Sequence, residues 1–170
     1  MLDQVVHILR DNRLASLATV DPEGWPHCTM VGFASHELRI YFAIARDGQK
    51  FSDISRDNRV SLAIGRDVIN PSSIRALAIK ARSNVIDDGE EHRRALDMLL
   101  SKRPALKLLA APNNQSSAIM VALPEQIRLL DYSKGYGHSV LLDVDPDGKV
   151  LDAKEQVHNW GYGREFKPVE

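Results

Sequence analysis

The stretch that decides the fold is "AIARDGQKFSDISRDNRVSLAIG", residues 43–65. Alternating apolar residues stand at both of its ends, which is the pattern of strands with one buried face. Between them, a segment that opens at Asp47 carries Phe51 and Ile54 three residues apart, as one side of a short helix does. We predict that Asp47 is the N-cap of this helix, because its carboxylate can accept hydrogen bonds from the N–H groups of the first turn.

Lys50 then lies in the first helical turn, where the helix dipole disfavours a cation by about 0.3–1 kcal/mol. Two interpretations are open. Lys50 is an ordinary surface lysine whose charge is offset by Asp47 or Asp53. Alternatively, it belongs to an anion site, in which the free N–H groups and the lysine bind a phosphate and Gly48 lets the backbone approach closely.

The composition indicates one soluble, cytoplasmic domain. The chain has 170 residues, a formal net charge of −1 and a pI near 6.6, which gives no electrostatic reason to expect DNA or acidic lipid as a partner. No apolar run approaches the ~20 residues of a membrane span. The N-terminus lacks the apolar core of a signal peptide and instead predicts a short amphipathic helix over 3–11. The single cysteine, Cys28, fits a reducing compartment and is interpreted as a small buried residue.

Outside the opening stretch, short strands at regular spacing dominate. The runs 14–20 and 25–34 flank "DPEG" (21–24), which has the residue preferences of a type I turn, so they form a hairpin. Acidic residues crowd the start of a helix over about 87–103, and basic residues crowd its end. Tight turns between strands favour antiparallel pairing in a closed barrel, so the fold class is α+β. The remaining predicted strands are 38–45, 59–65, 73–86, 116–132 (interrupted near Pro124), 139–144 and 149–153.

The sequence carries no fingerprint of a metal, nucleophile or dinucleotide site. The six histidines form no pair at i, i+4, and no cysteine pair accompanies them. There is no G-x-S-x-G, P-loop or G-x-G-x-x-G motif. Cys28 has no evident base partner. A metal site is therefore not expected, and the catalytic residues stay unassigned.

The chain resembles the pyridoxamine 5′-phosphate oxidase-like, FMN-binding split-barrel family. The resemblance covers about residues 12–131 and rests on the order of weak motifs: "LATVDPEGWPH" (17–27), "YFAIA" (41–45), Lys50 before a short helix, and "RVSL" (59–62). It implies an antiparallel six-stranded split β-barrel with flanking helices, which binds FMN where the subunits of a homodimer meet.

The same resemblance implies a set of cofactor-binding residues. Lys50 matches the family lysine on the FMN phosphate. True oxidases have an arginine at position 27 and a lysine at position 32, where this chain has His27 and Gly32, so two phosphate-binding cations are missing. His27 is therefore either a cofactor residue or an ordinary half-buried histidine. Gln115-Ser116-Ser117 is similar to a family Gln-Ser pair that reaches the flavin. The full set of implied residues is His27, Thr29, Phe42, Ala43, Gln49, Lys50 and Arg75.

Two functions follow from the resemblance. The first is an FMN-dependent oxidoreductase acting on a small cytoplasmic substrate. The alternative is a non-catalytic protein of the same fold that binds flavin, deazaflavin or haem, with His138 or His158 as an axial ligand. The segment "DYSKGYGHSVLLDV" (131–144) lacks the R-x-H-D-R-like arginines with which the oxidases grip the substrate phosphate. The chain is therefore expected to be a divergent member and not a true pyridoxine-phosphate oxidase.

The domain prediction is one FMN-binding unit over residues 1–170. Its core runs from about 12 to 153, the N-terminal helix spans 3–11, and a C-terminal tail spans 154–170. The tail carries Trp160, Tyr162 and Phe166 between glycines. It either crosses the partner subunit and closes the cofactor cleft or is a frayed terminus.

Overall fold

The protein is represented by a computed structural model that describes residues 1–87, 89–110 and 115–158. The helices are α1 (Leu2–Asp11), α2 (Gln49–Arg56) and α3 (Gly89–Lys102), with 3₁₀ turns at Pro71–Ser73, Pro104–Ala110 and Tyr132–Lys134. The strands are β1 (Leu14–Val20), β2 (Pro26–His36), β3 (Arg39–Ala45), β4 (Arg59–Gly65), β5 (Arg75–Val85), β6 (Ser117–Asp131), β7 (His138–Val144) and β8 (Val150–Val157).

The strands form one antiparallel sheet that closes into a six-stranded barrel. Its order is β3-β2-β1-β4-β5-β6, and β3 also pairs with β6, which closes the ring. The β7–β8 hairpin extends the sheet from β6 outside the ring. The predicted α+β split barrel is therefore confirmed.

The two-residue period places the apolar residues inside the barrel as the sequence predicts. On β3, Ile40 and Phe42 are completely buried, and Val60, Leu62 and Ile64 of β4 join the same core. Pro124 coincides with a β-bulge, because the register between β5 and β6 shifts between Lys80 and Ala81, opposite this proline. A proline cannot donate a ladder hydrogen bond, so the bulge lets a long strand continue past it.

The three helices cover different parts of the barrel. Val5, Ile8 and Leu9 of α1 and Ile54 of α2 pack into the main core, while α3 lies on the outer surface. There, Ala95 and Leu99 of α3 form a second apolar cluster that includes Tyr41 of β3. By strand register, α1 packs near the start of β1 and α2 near its end, so the two helices lie at opposite ends of the barrel.

Three local predictions need correction or extension. The N-cap of α2 is Gly48 and not Asp47, whose side chain makes no capping hydrogen bond. Cys28 is exposed and not buried, because Val31 and Phe33 face the core and strand alternation turns residue 28 outward. β8 continues to Val157, beyond the predicted boundary at 153, since its pairing with β7 persists in a strand without apolar alternation.

Two further observations concern the C-terminal tail and the character of the helices. Trp160, Tyr162 and Phe166 lie outside the described residues, so the prediction for the tail stays a prediction. Over the described ranges, none of the helices has the length and apolar character needed to cross a lipid bilayer.

Candidate functional site

The barrel wall has an opening between β2 and β3, which we call the open seam. β2 pairs with β3 only from Phe33 onward, whereas β3 pairs with β6 from Ile40 to its end at Ala45. As a result, no ladder pairs join Pro26–Gly32 of β2 to Ala43–Ala45 of β3. The seam is defined by these two segments, and α2 follows directly after the second of them.

The exposed edge of β2 offers backbone donors and acceptors to the open seam. The N–H of Phe33 donates to the carbonyl of Arg13, so the odd-numbered residues of β2 direct their polar groups at β1. In an antiparallel ladder the intervening residues then direct theirs away from β1. The N–H and C=O groups of Cys28 and Met30 therefore point into the seam. An unpaired strand edge of this kind is a place where a planar polar ligand can hydrogen-bond.

The start of α2 forms the cationic end of the seam. Lys50 is half-buried, and within the described ranges its side chain has no ion pair or hydrogen bond. The N–H groups of Gln49 and Lys50 also have no acceptor there, whereas Phe51 and Ser52 donate to the carbonyl of Gly48. Two free N–H groups and an unpaired ammonium at a helix start suit a phosphate or carboxylate.

Gly48 allows a close packing contact at this turn. A Cβ at Gly48 would lie 3.3 Å from the carbonyl oxygen of Ala45. Its backbone torsions are ordinary extended values, φ −87° and ψ 156°. The absence of a side chain at Gly48 therefore lets its backbone lie close to the end of β3. This contact holds the first turn of α2 next to the seam.

A buried polar cluster connects α2 to the start of β2. Asp53 is 1% exposed and accepts a 2.8 Å hydrogen bond from Oγ1 of Thr19. Nδ1 of His27 lies 3.7 Å from Oδ2 of Asp53, too far for a hydrogen bond but within ion-pair distance. Thr19 and His27 are direct neighbours across the β1–β2 ladder, so the register of the hairpin brings them together under α2.

The other implied residues on β2 and β3 have different environments. The hydroxyl of Thr29 is buried and has no hydrogen-bond partner within the part of the chain that the structure describes. Thr29 shares the inward face of β2 with His27. Phe42 is completely buried in the main core. Ala43 faces the opposite way, toward the cluster under α3. Gln49 is exposed at the start of α2.

Arg75 is not brought together with Lys50. It lies at the start of β5, at the end of the barrel where α1 packs. Its Nε is 3.4 Å from Oδ1 of Asp131, and Ser133 and Gln4 also donate to this carboxylate. Burial raises the pKa of Asp131, but the hydrogen bonds from Ser133 and Arg75 outweigh this effect and hold the pKa below its usual value. Within one chain, Arg75 is therefore part of a structural cluster.

Gly32 on β2 packs against the side chain of Arg103, the residue that follows α3. A Cβ at Gly32 would lie 2.8 Å from Nε of Arg103, so the Arg103 side chain occupies the space beside this glycine. Among the described residues, Nε of Arg103 is buried and has no hydrogen-bond partner, while its Nη2 donates to the carbonyl of Arg13. Gly32 and Arg103 are about 70 residues apart in the sequence, so no local sequence pattern predicts this contact.

The histidines suggested as haem ligands are placed differently from one another. His138 is 3% exposed, and its Nε2 lies 2.6 Å from Oε1 of Glu155 across the β7–β8 hairpin. His158 is exposed at the end of β8.

Gln115 to Ser117 lie near the start of α2, since the backbone N–H of Arg46 donates to the carbonyl of Ser116 and its Nε donates to the carbonyl of Ser117.

Comparison with known proteins identifies the family of this architecture. The family model described as pyridoxamine 5′-phosphate oxidase matches residues 1–131, which is most of the chain. None of the curated proteins matches the chain.

Solved structures from several bacteria share the fold. A haem-binding protein from Mycobacterium smegmatis superposes with a TM-score of 0.70 at 17% identity; the match covers 84% of this chain but only 56% of that protein. HutZ, the haem storage protein of Vibrio cholerae, gives 0.64 at 15% identity over 74% and 91% of the two chains. An FMN-binding protein from Nostoc punctiforme, related to pyridoxamine 5′-phosphate oxidase, gives 0.65 at 13% identity over 91% and 94%.

Proposed function

Because this chain belongs to the pyridoxamine 5′-phosphate oxidase family, we propose that it binds FMN in the open seam and acts as an oxidoreductase on a small cytoplasmic substrate. The observation that carries the proposal is that Lys50 and the N–H groups of Gln49 and Lys50 have no partner among the described residues. A ligand with a terminal phosphate fits this end, and the unpaired edge of β2 offers hydrogen bonds to the rest of a flavin. The similarity to an FMN-binding protein from Nostoc punctiforme supports the same assignment.

The residues of this chain bind and orient the cofactor. Lys50 and the start of α2 hold the phosphate, and the backbone of Cys28 and Met30 faces the flavin along the seam. A bound flavin supplies the hydride and electron transfer itself, so the protein needs no strong acid or base of its own. This division of labour agrees with a sequence that contains no recognisable catalytic constellation.

The substrate is expected to differ from that of the true oxidases. No arginine lies between residues 131 and 144, where the resembling enzymes bind the phosphate of pyridoxamine 5′-phosphate. Lys134 and His138 cannot replace a bidentate arginine, and Nε2 of His138 already contacts Glu155. We therefore expect a smaller or less charged substrate, and robust turnover of pyridoxamine 5′-phosphate would contradict this assignment.

The functional unit is proposed to be a C2 homodimer with the cofactor site at the subunit interface. The central residues on the outer face of β1, β2 and β4 are exposed or half-exposed and uncharged, with Arg59 at the start of β4 as the charged residue at the margin, which suits a self-complementary contact. Met30 on this face is 58% exposed and belongs to the edge of the open seam. The face, which we call the outer patch, consists of Leu14, Ser16, Ala18, Cys28, Met30, Ser61 and Ala63.

The shared site can be tested by dilution. If the partner completes the site, FMN binding stabilises the dimer by linkage, and dilution toward monomer releases FMN. Mass photometry with flavin fluorescence over a dilution series measures both events. A monomer that retains FMN at full affinity would rule out the shared site while leaving the assignment of Lys50 intact.

Haem binding is the second candidate, because proteins titled as haem-binding or haem storage share this fold. His138 fits poorly as an axial ligand, since it is buried and its Nε2 contacts Glu155. The absorption spectrum of the purified protein separates the candidates. A flavin gives its two characteristic bands in the near ultraviolet and blue, whereas haem gives a Soret band, and a Soret band alone would favour haem.

The decisive test of FMN binding is Lys50→Ala measured with two ligands. Loss of a hydrogen bond to a charged group costs about 1.5–3 kcal/mol, so the Kd for FMN should rise by about 10- to 150-fold. Riboflavin lacks the phosphate and should bind both proteins equally. Lys149→Ala, in the exposed β7–β8 turn, is the matched control and should change neither affinity. Equal losses for FMN and riboflavin would mean that Lys50 acts through the structure and would refute the phosphate assignment.

A further inference from the structure

A second cleft lies at the C-terminal end of α2, and we call it the β5 cleft. It is lined by residues 54–58, by residues 82–85 of β5 and by Met120 of β6. Its volume is about 650 Å³, within the range of about 300–1,000 Å³ that small-molecule sites occupy. Among the described residues that line the β5 cleft, none belongs to the open seam or to the first turn of α2. It is therefore a separate candidate site.

Ser83 places a hydroxyl where the apolar interior of the barrel meets this cleft. Leu77, Ile79 and Ala81 precede it on the inward face of β5 and belong to the main core. Ser83 is 1% exposed, and its Oγ has no hydrogen-bond partner in the part of the chain that the structure describes. A buried hydroxyl without a partner is destabilising, so the packing of the barrel does not explain this serine. The hydroxyl hydrogen rotates to suit an acceptor, so it is available to a ligand in the cleft.

The floor of the β5 cleft is apolar. Ile54 and Met120 are almost completely buried in the main core, and the half-buried Val85 packs against it. Val85 and Met120 are direct neighbours across the β5–β6 ladder, and Ser83 lies two residues before Val85 on the same face. An apolar group that rests on this floor therefore lies next to the hydroxyl of Ser83.

The rim of the β5 cleft offers hydrogen-bond donors. Arg82 and Asn84 flank Ser83 in the chain, and both are exposed. Nε of Arg82 donates to Glu125 and its Nη1 donates to Oδ1 of Asn58, which leaves Nη2 without an acceptor among the described residues. Oδ1 of Asn84 accepts from Asn58, so the two N–H groups of the Asn84 amide remain available there as well. The rim therefore suits a ligand group that only accepts hydrogen bonds.

The charges around the β5 cleft leave one excess positive charge. Two arginines, Arg56 and Arg82, and one carboxylate, Asp57, are among the described residues that line it. Hydrogen bonds from Arg59 hold the pKa of Asp57 well below its usual value, so this carboxylate is ionised and already paired. Glu125 pairs with Arg82, whereas Arg56 donates to a backbone carbonyl and has no carboxylate partner in the described ranges. This balance favours a ligand with one negative charge.

We propose that the β5 cleft binds a small organic acid, with its apolar body on the floor and its carboxylate at the donors of Arg82, Ser83 and Asn84. A carboxylate only accepts hydrogen bonds, and it carries the single negative charge that the cleft lacks. An inorganic anion would satisfy the rim but would leave the apolar floor uncovered. The inference goes beyond the proposed function, because it assigns a second site and does not depend on the binding of FMN.

The test uses phenylacetate as the probe and phenylacetamide, which has the same apolar body without the charge, as the matched control ligand. In nitrogen–proton correlation NMR, phenylacetate should shift the amide signals of residues 54–58 and 82–85 of the wild type. Phenylacetamide should bind about tenfold more weakly, the scale of one charge-assisted hydrogen bond. Shifts centred on Gln49 and Lys50, equal affinities for the two ligands, or no shift at millimolar phenylacetate would each overturn the proposal.

Arg82→Gln tests the rim, because it removes a charge from an exposed side chain. The Kd for phenylacetate should rise by about tenfold, while the Kd for phenylacetamide stays unchanged. Lys80→Gln is the matched control variant, since Lys80 is exposed two residues earlier on the same face of β5 and does not line the cleft. Equal losses in the two variants would mean that phenylacetate responds only to the overall charge, and the proposal would fail.

Ser83→Ala adds a measurement that needs no ligand. The substitution removes a buried hydroxyl without a partner, so the midpoint of urea denaturation should stay the same or rise. The affinity for phenylacetate should nevertheless fall several-fold, because one donor to the carboxylate is lost. A lower denaturation midpoint would show that Ser83 is hydrogen-bonded within the fold, and an unchanged affinity would show that its hydroxyl does not meet the ligand. Either result would overturn the assignment.

Discussion

A substitution of Arg75 can show whether this residue stabilises the fold or binds the cofactor. Its guanidinium is 57% exposed, whereas the carboxylate of Asp131 is 3% exposed and is also hydrogen-bonded by Ser133 and Gln4. Arg75→Ala removes one exposed partner and leaves the others, so it should lower the free energy of unfolding by about 0.2–1 kcal/mol. Asp131→Ala leaves all these donors without their acceptor and should cost about 1.5–3 kcal/mol.

The effect of Asp131 should depend on pH in a defined direction. Its pKa is lowered in the folded protein, so its contribution is complete above the unfolded value of about 3.9 and is lost as the pH falls toward the folded pKa. The difference in unfolding free energy between the wild type and Asp131→Ala should therefore be largest at pH 7 and shrink below about pH 4.

Urea denaturation at pH 7 and pH 3.5 measures both variants, and FMN titration of Arg75→Ala completes the test. Because Arg75 and Lys50 lie at opposite ends of the barrel, FMN affinity should stay within twofold of the wild type. A tenfold loss of FMN affinity with unchanged unfolding would refute the structural role and return Arg75 to the cofactor site.

Two other predictions concern stability and titration. Burial and a hydrogen bond to Glu91 raise the pKa of Tyr41 to about 12. The absorbance difference between the wild type and Tyr41→Phe should therefore titrate near pH 12 in the native protein. A midpoint near pH 10 would contradict this environment. Gly65→Ala should cost about 1–3 kcal/mol, because the new Cβ would lie 2.9 Å from Cβ of Ala76 on the paired strand. Gly32→Ala should cost less than about 1 kcal/mol, since it meets only the movable end of Arg103; denaturation curves that reverse this order would disprove the packing argument.

The sequence predicted well whatever depends on residues close together in the chain. The alternation on β3 and β4, the short helix with Lys50 in its first turn and the bulge at Pro124 all follow from local periodicity and residue chemistry. The N-cap was misplaced by one residue, because Asp47 has the right chemistry but Gly48 has the close contact with Ala45.

The candidate site was harder to predict because it combines residues from distant parts of the chain. Asp53 looked like a surface neighbour of Lys50, and only the β1–β2 register shows that it lies buried against Thr19 and His27. Arg75 matched a cofactor position in the family pattern, but its ion pair with Asp131 depends on the register between β5 and β6. Side-chain partners set by strand register have no local sequence signal.

The closure of the barrel through β3 and β6 has a consequence for biosynthesis. β3 pairs with β6, as Phe42 does with Met120, and β5 also has β6 as its second neighbour in the sheet. An N-terminal fragment that ends before β6 can form the first hairpin, but it exposes one edge of β3 and one edge of β5. Pairing across such a separation is slow, and unpaired edges attract other chains. The ribosome must therefore release the last barrel strand before the nascent protein is protected from aggregation, and premature termination before Ser117 should leave an insoluble product.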